Sequence, residues 1–201
     1  MISITLPDGS IKEYENGTTP MDIAKSISEG LARNVISASF NDTVVETSTA
    51  LDTDGNLILY TWNDKNGKKA FWHSSAHVLA QALEELYPGI KLTIGPAIDN
   101  GFYYDVDFGD YTISEKDFKT IEDKMLEIAR GKFDFNMRAI TKSEALEIYK
   151  NNPYKTELIE NLEDGTITFC DHSTFTDLCR GGHIPNTGII KAVKILSVAG
   201  A

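Results

Sequence analysis

The chain has 201 residues, with 19 Lys and Arg against 30 Asp and Glu, giving a formal charge of −11. Hydrophobic residues make up 41%, which excludes wholesale disorder, and no apolar run approaches the roughly 20 residues that span a bilayer. The charge has the wrong sign for gripping nucleic acid through a net field. Neither part of the chain is a basic module, with 3 basic and 9 acidic residues through Trp62 and 16 and 21 beyond it, so any contact with RNA must be local. The opening Met1-Ile-Ser-Ile-Thr-Leu has neither the basic region nor the apolar core of a signal peptide. Two cysteines, Cys170 and Cys179, are too few for a disulfide framework. A reducing, cytoplasmic setting is expected.

The first sixty residues read as short strands around one helix. Ile2 to Leu6 alternates, Pro7-Asp8-Gly9-Ser10 is a turn, and Ile11 to Glu15 completes a hairpin. Thr18 or Thr19 caps a helix with Pro20 at its first position, through Ile23, Ala24 and Ile27, and Gly30 is expected to stop it. Strand-like runs follow at Val35–Phe40, around Val44 and Val45, and at Leu57–Tyr60. This pattern predicts a ubiquitin-like β-grasp sheet over residues 1–62. The polar, turn-rich 63–69 stretch then reads as a domain boundary.

From Ala70 the chain is expected to form a helix to Tyr87, closed by Pro88-Gly89. Strands at Lys91–Gly95 and Gly101–Phe108 come next. Ser114 with Asp117, and Thr141 with Glu144, are capping boxes that open amphipathic helices. Phe133–Ile140 alternates as a strand, Tyr154–Leu162 reads as a short helix, and Thr166–Cys170 and Ile189–Val198 read as strands. The class is α+β throughout, with antiparallel sheets and helices packed on them.

Three of the four histidines fall in two compact motifs. His73-Ser-Ser-Ala-His77 places two imidazoles one turn apart on one face of the long helix. Cys179-Arg-Gly-Gly-His183 adds a thiol and a third imidazole, with Asp177 just upstream. Together they have the donor types and count of a tetrahedral zinc site. The same groups in a cleft also make a metal-free hydrolytic site that activates water. No H-E-x-x-H, G-x-S-x-G or phosphate-binding glycine loop is present. His172 lies outside both motifs and is expected at the surface, while Cys170 is expected to be a buried thiol.

Four stretches carry a resemblance: Trp72-His-Ser-Ser-Ala-His-Val-Leu-Ala-Gln, Ile94-Gly-Pro-Ala-Ile-Asp-Asn-Gly-Phe-Tyr-Tyr-Asp105, Asn152-Pro-Tyr-Lys-Thr-Glu, and Asp177-Leu-Cys-Arg-Gly-Gly-His183. In this order they resemble the N-terminal half of the bacterial threonyl-tRNA synthetase family, across essentially the whole chain. The resemblance implies a TGS domain over 1–62 and an aminoacyl-tRNA editing domain over 63–201. One departure is local: Gly182 stands where the family has proline, which is expected to loosen the turn presenting His183. The other is that the family continues into catalytic and anticodon-binding domains. The chain is therefore expected to be an excised fragment or a free-standing editing protein.

The resemblance implies hydrolysis of seryl-tRNA(Thr), with His73 and Lys155 catalytic. His73 would orient or deprotonate water or a ribose hydroxyl, and Lys155 would stabilise negative charge at the ester. Asp177 would hold the seryl α-ammonium, while His77, Cys179 and His183 complete the pocket and Tyr104 touches the substrate edge. Read without the family, Lys155 is an ordinary solvated lysine at a helix start, and Asp177 a turn or cap residue. The resemblance further implies no cofactor and no metal for these residues. ATP, magnesium and zinc belong to the family's catalytic domain. The expected partner is tRNA(Thr) carrying serine, with no membrane, and with a homodimer only in the longer protein. Two alternatives stay open: a zinc-dependent hydrolase of the alanyl-tRNA editing type, and a non-enzymatic TGS-type binding module.

Overall fold

Thr19 caps the first helix through its side chain, which accepts from Asp22 N, and Pro20 supplies a preset φ at the first helical position. In the computed structural model, which describes residues 1–200, this helix is α1 (Pro20–Ile27). It follows the hairpin β1 (Ile2–Thr5) and β2 (Ile11–Tyr14). Gly30 does not stop it. The helix ends at Ile27, and Ser28 caps a second short helix, α2 (Glu29–Ala32), that contains Gly30. Then come β3 (Ser37–Phe40), β4 (Thr43–Val45) and β5 (Gly55–Tyr60).

These strands form one mixed sheet in the order β2-β1-β5-β3-β4, with β1 and β5 parallel and the other pairs antiparallel. Ile2 and Ile4 alternate onto one face and meet Ile23, Ala38, Leu51 and Leu57 in a single core. A helix packed across a five-strand mixed sheet is the β-grasp arrangement that the alternation predicts.

Most of the 63–69 stretch is helical. Asp64 Oδ2 accepts from Thr61 N and Thr61 Oγ1, and a 22-residue helix, α3 (Lys65–Leu86), begins at once. The chain divides into two compact units within this helix. The first comprises Met1–Phe71 with Gly181–Pro185, and the second comprises Trp72–Arg180 and the residues from Asn186 onward.

In the second unit, α3 is buried nearly all round between Ser74 and Leu83, largely through small residues, Ser74, Ser75, Ala76, Ala80 and Ala82, with Val78. The next strands are only two residues long: β6 (Lys91–Leu92), β7 (Ala97–Ile98), β8 (Gly101–Phe102) and β9 (Val106–Asp107), paired β6 with β9 and β7 with β8. The Ser114 capping box opens a 3-10 turn that runs into α4 (Phe118–Arg130). A three-stranded antiparallel sheet, β10-β11-β12, follows from β10 (Asn136–Ala139) and, after α5 (Lys142–Ile148) and α6 (Pro153–Glu160), β11 (Thr168–His172) and β12 (Phe175–Leu178). Ile140, Ala145, Ile159, Ile167 and Phe169 form the core under α5 and α6.

The Ile189–Val198 region is not a strand. A 3-10 turn occupies Thr187–Ile189 and no regular element follows it among the described residues. No helix among the described residues is long and apolar enough to cross a membrane.

Candidate functional site

The second unit gathers side chains from α3, α6, β12 and the connection between β8 and β9 around one carboxylate. Helix α3 brings His73 and His77, whose rings lie 4.7 Å apart at 71°, as one-turn spacing requires. Strand β12 alternates Phe175 and Asp177 inward, so its aspartate points into the protein rather than to water. Helix α6 brings Lys155. Asn152 caps this helix, accepting from Tyr154 N at 3.1 Å and Lys155 N at 3.2 Å, while its amide anchors to Leu92 O at 2.8 Å. Pro153 at the first helical position then sets Lys155 in the first turn.

Tyr104 reaches the same point because Gly95 has no side chain. A Cβ at Gly95 would sit 2.2 Å from the Tyr104 ring, a separation at which no other residue fits.

Asp177 is the hub. Its Oδ1 lies 2.5 Å from Lys155 Nζ, and its Oδ2 accepts from the Tyr104 hydroxyl at 2.6 Å and lies 3.2 Å from His77 Nδ1. The Lys155, Asp177 and His77 side chains are all at most 4% exposed. Lys155 Nζ also donates to Tyr104 Oη at 3.3 Å and sits 5.8 Å over the Tyr104 and Tyr149 rings. The solvated-lysine reading of Lys155 is therefore overturned. A buried lysine needs a counter-charge, and the β12 alternation supplies it.

The electrostatics follow from this crowding. For Asp177, burial alone would push the carboxyl up, but the Lys155 charge and the His77 hydrogen bond outweigh it and hold the group well below the usual carboxylate range. Burial likewise opposes protonation of His77, yet Asp177 and Cys179 beside it hold the imidazole above its ordinary value. Tyr104 is pushed well above the usual phenol range by burial, then by the Asp177 charge, so it serves as a neutral donor.

Cys179 lies just past β12, its amide donating to Thr168 O at 3.0 Å. Its sulfur is 3.0 Å from His73 Nε2. The donor atoms of His73, His77 and Cys179 lie within 4.8 Å of one another, and two imidazoles with one thiol are chemistry that suits zinc.

His183 lies in the first unit, where its Nδ1 is 2.9 Å from a Glu46 carboxylate oxygen. His172 is not a surface residue. It is 1% exposed, packed against Phe135 at 4.8 Å and Phe175 at 5.3 Å between ring centroids. Cys170 is buried, as its place on an alternating strand implies.

Sequence reasoning missed Tyr149 and Glu46. Tyr149, the residue that ends α5, falls at helical spacing, and nothing in that spacing marks it as a wall beside Lys155. Glu46 belongs to no motif at all.

Comparison with known proteins defines the class first. Residues 2–61 match the TGS domain, and residues 167–200 match the threonyl and alanyl tRNA synthetase second additional domain. Across all 201 residues the chain is 80% identical to the threonine–tRNA ligase of Flavobacterium johnsoniae and 76% identical to that of Flavobacterium psychrophilum. It is 59% identical to that of Cytophaga hutchinsonii over its full length. It spans about 31% of the length of the two Flavobacterium relatives. The chain is thus the counterpart of the N-terminal TGS and second-additional-domain region of threonine–tRNA ligases.

Proposed function

We propose that the chain binds tRNA and hydrolyses the ester joining serine to the 3′ end of tRNA(Thr). The observation that carries this reading is the buried ion pair of Lys155 and Asp177, tied to Tyr104 and His77. A domain without chemistry has little reason to bury two charges, because a well-packed apolar pair is commonly as stable or more so.

In this reading water oxygen attacks the ester carbonyl, the bond to the ribose oxygen breaks, and serine and free tRNA result. His73, half-buried beside Cys179, takes the water proton or orients the water through a ribose hydroxyl. The Lys155 ammonium offsets the negative charge that develops on the carbonyl oxygen. Asp177 has about four acceptor sites, of which Lys155 and Tyr104 already fill two, and His77 Nδ1 lies 3.2 Å away. A remaining site receives the seryl α-ammonium. His77, Cys179 and Tyr104 shape the pocket, and His183 keeps the substrate-binding role the family resemblance implies.

The selectivity this requires is set by one methyl group. Threonine and serine differ by about 1–3 kcal/mol in a binding pocket, too little for a synthetic site to exclude serine unaided. A second site that admits the smaller side chain and rejects the larger supplies the rest. The test is deacylation of seryl-tRNA(Thr) and threonyl-tRNA(Thr) by the purified chain. Faster loss of serine supports the reading, and equal rates contradict it.

A zinc-dependent hydrolase is the second reading, favoured by the grouping of His73, His77 and Cys179. These three would hold the ion, and zinc would supply a Lewis acid and a more acidic bound water. We propose the metal-free course, because Lys155 already furnishes a cation. Metal analysis of active protein separates the two: one tightly held zinc per chain, with activity lost to chelators, supports the second.

A further inference from the structure

One carboxylate of the β-grasp unit holds the loop Gly181–Pro185, which the same compact unit contains. Glu46, the residue after β4, accepts from Gly182 N at 2.9 Å through Oε1 and from His183 N at 3.1 Å through Oε2. Its Oε1 also lies 2.9 Å from His183 Nδ1. Three donors converge on one side chain, and the His183 side chain is fully buried.

An ionised carboxylate only accepts hydrogen bonds, so the nitrogen facing it must carry the proton. The Glu46 contact therefore favours the ring form of His183 that carries its proton on Nδ1. Outer partners of histidines commonly act in this way, fixing both tautomer and ring orientation.

The loop is built for this contact. Gly182 has φ +90°, a left-handed conformation that proline, locked near −65°, cannot adopt. Proline would also lack the N–H that Glu46 accepts. The glycine that departs from the family pattern thus does more than loosen a turn. It contributes one of the three donors.

We propose that Glu46 is a positioning residue, which clamps the 181–183 loop and fixes the His183 imidazole as the Nδ1–H form. The clamp itself stands on the hydrogen bonds, and its consequence for hydrolysis rests on the proposed function above. Glu46→Gln is the informative change, because the amide that replaces one oxygen presents a donor to donors. It should turn a single His183 tautomer into a mixture.

The experiment uses the 201-residue chain labelled with 15N at histidine, in long-range proton–nitrogen spectra of the wild type and of Glu46→Gln. The same preparations are assayed for seryl-tRNA(Thr) hydrolysis. The expected result is a pure Nδ1–H form of His183 in the wild type. In the variant we expect a mixed form and a roughly tenfold or greater loss of hydrolysis, the scale of other outer-partner changes. An Nε2–H form in the wild type overturns the proposal even if the variant fails to fold. An unchanged tautomer in a folded variant overturns it, as does a changed tautomer with an unchanged rate. A wild-type chain that hydrolyses nothing counts against the hydrolytic reading, whereas the spectra decide the clamp separately.

Discussion

Lys155 and Asp177 form a buried ion pair, Nζ to Oδ1 2.5 Å, with side chains 2% and 4% exposed. The lysine comes from the first turn of α6 and the aspartate from β12, so two separate elements are pinned by opposite charges. Removing one partner strands the other. Lys155→Met is expected to lower the free energy of unfolding by about 3–5 kcal/mol, the usual cost of an uncompensated buried charge. The double variant Lys155→Met with Asp177→Leu should recover much of that stability, because both charges leave together. Urea denaturation of the single and double variants checks this. A double variant as unstable as the single would show that packing, not charge, sets the cost.

The same network sets a pH dependence with opposite signs at its two ends. Asp177 is held below its ordinary value of 3.8 in the folded protein. Its contribution to stability is therefore complete above that value and is lost as pH falls through the lower folded value. His77 is held above its ordinary 6.5, so its contribution is complete below 6.5 and is lost as pH rises through the higher folded value. Both are present together between those two ordinary values. Unfolding midpoints measured from below 3.8 to above 6.5 should be highest between these values and fall off on both sides, and Asp177→Asn should remove its share of the acid limb. An acid limb of unchanged slope in that variant would assign the loss to other carboxylates.

His172 packs between Phe135 and Phe175 in the core. His172→Ala opens a cavity and should cost about 2–4 kcal/mol, in line with other large-to-small core changes, whereas His172→Phe keeps the ring volume and should cost less. Thermal or urea unfolding of the pair reads this. Equal stability of the alanine variant and the wild type would contradict the packing role.

Gly182→Pro should be unfavourable although it restores the residue typical of the family. It demands a change of φ from +90° and deletes the N–H bonded to Glu46. A loss of about 1–3 kcal/mol is expected, the scale of leaving a partly buried acceptor short of a partner. Urea unfolding that shows no loss would mean that the loop closes equally well without this bond.

Much of the frame was legible in residue patterns, for reasons that are local. Thr19-Pro20 and Thr141 with Glu144 each carry their capping chemistry within a few residues, and the helices start where those signals stand. The one-turn spacing of His73 and His77 likewise needs only a helix. What escaped the sequence depends on partners supplied by other elements. Lys155 looks solvated until β12 supplies Asp177, and His172 looks exposed until two phenylalanines enclose it. Glu46 carries no signal, because its role exists only once the 181–183 loop lies against β4. The Ile189–Val198 run is apolar enough for a strand, but it pairs with no strand among the described residues, and alternation without a pairing edge does not make one.

The central claim is that these buried charges serve ester hydrolysis selective for serine. Single-turnover deacylation of seryl-tRNA(Thr) and threonyl-tRNA(Thr) tests it most directly, with wild type, His73→Ala and Lys155→Ala compared under conditions where each variant is shown to be folded. The account predicts that serine is released far faster than threonine. It also predicts that each substitution slows the serine reaction by about a hundredfold or more, the contribution typical of a positioned base or an oriented charge. Equal loss of serine and threonine, or a folded Lys155→Ala variant that hydrolyses at the wild-type rate, would contradict it.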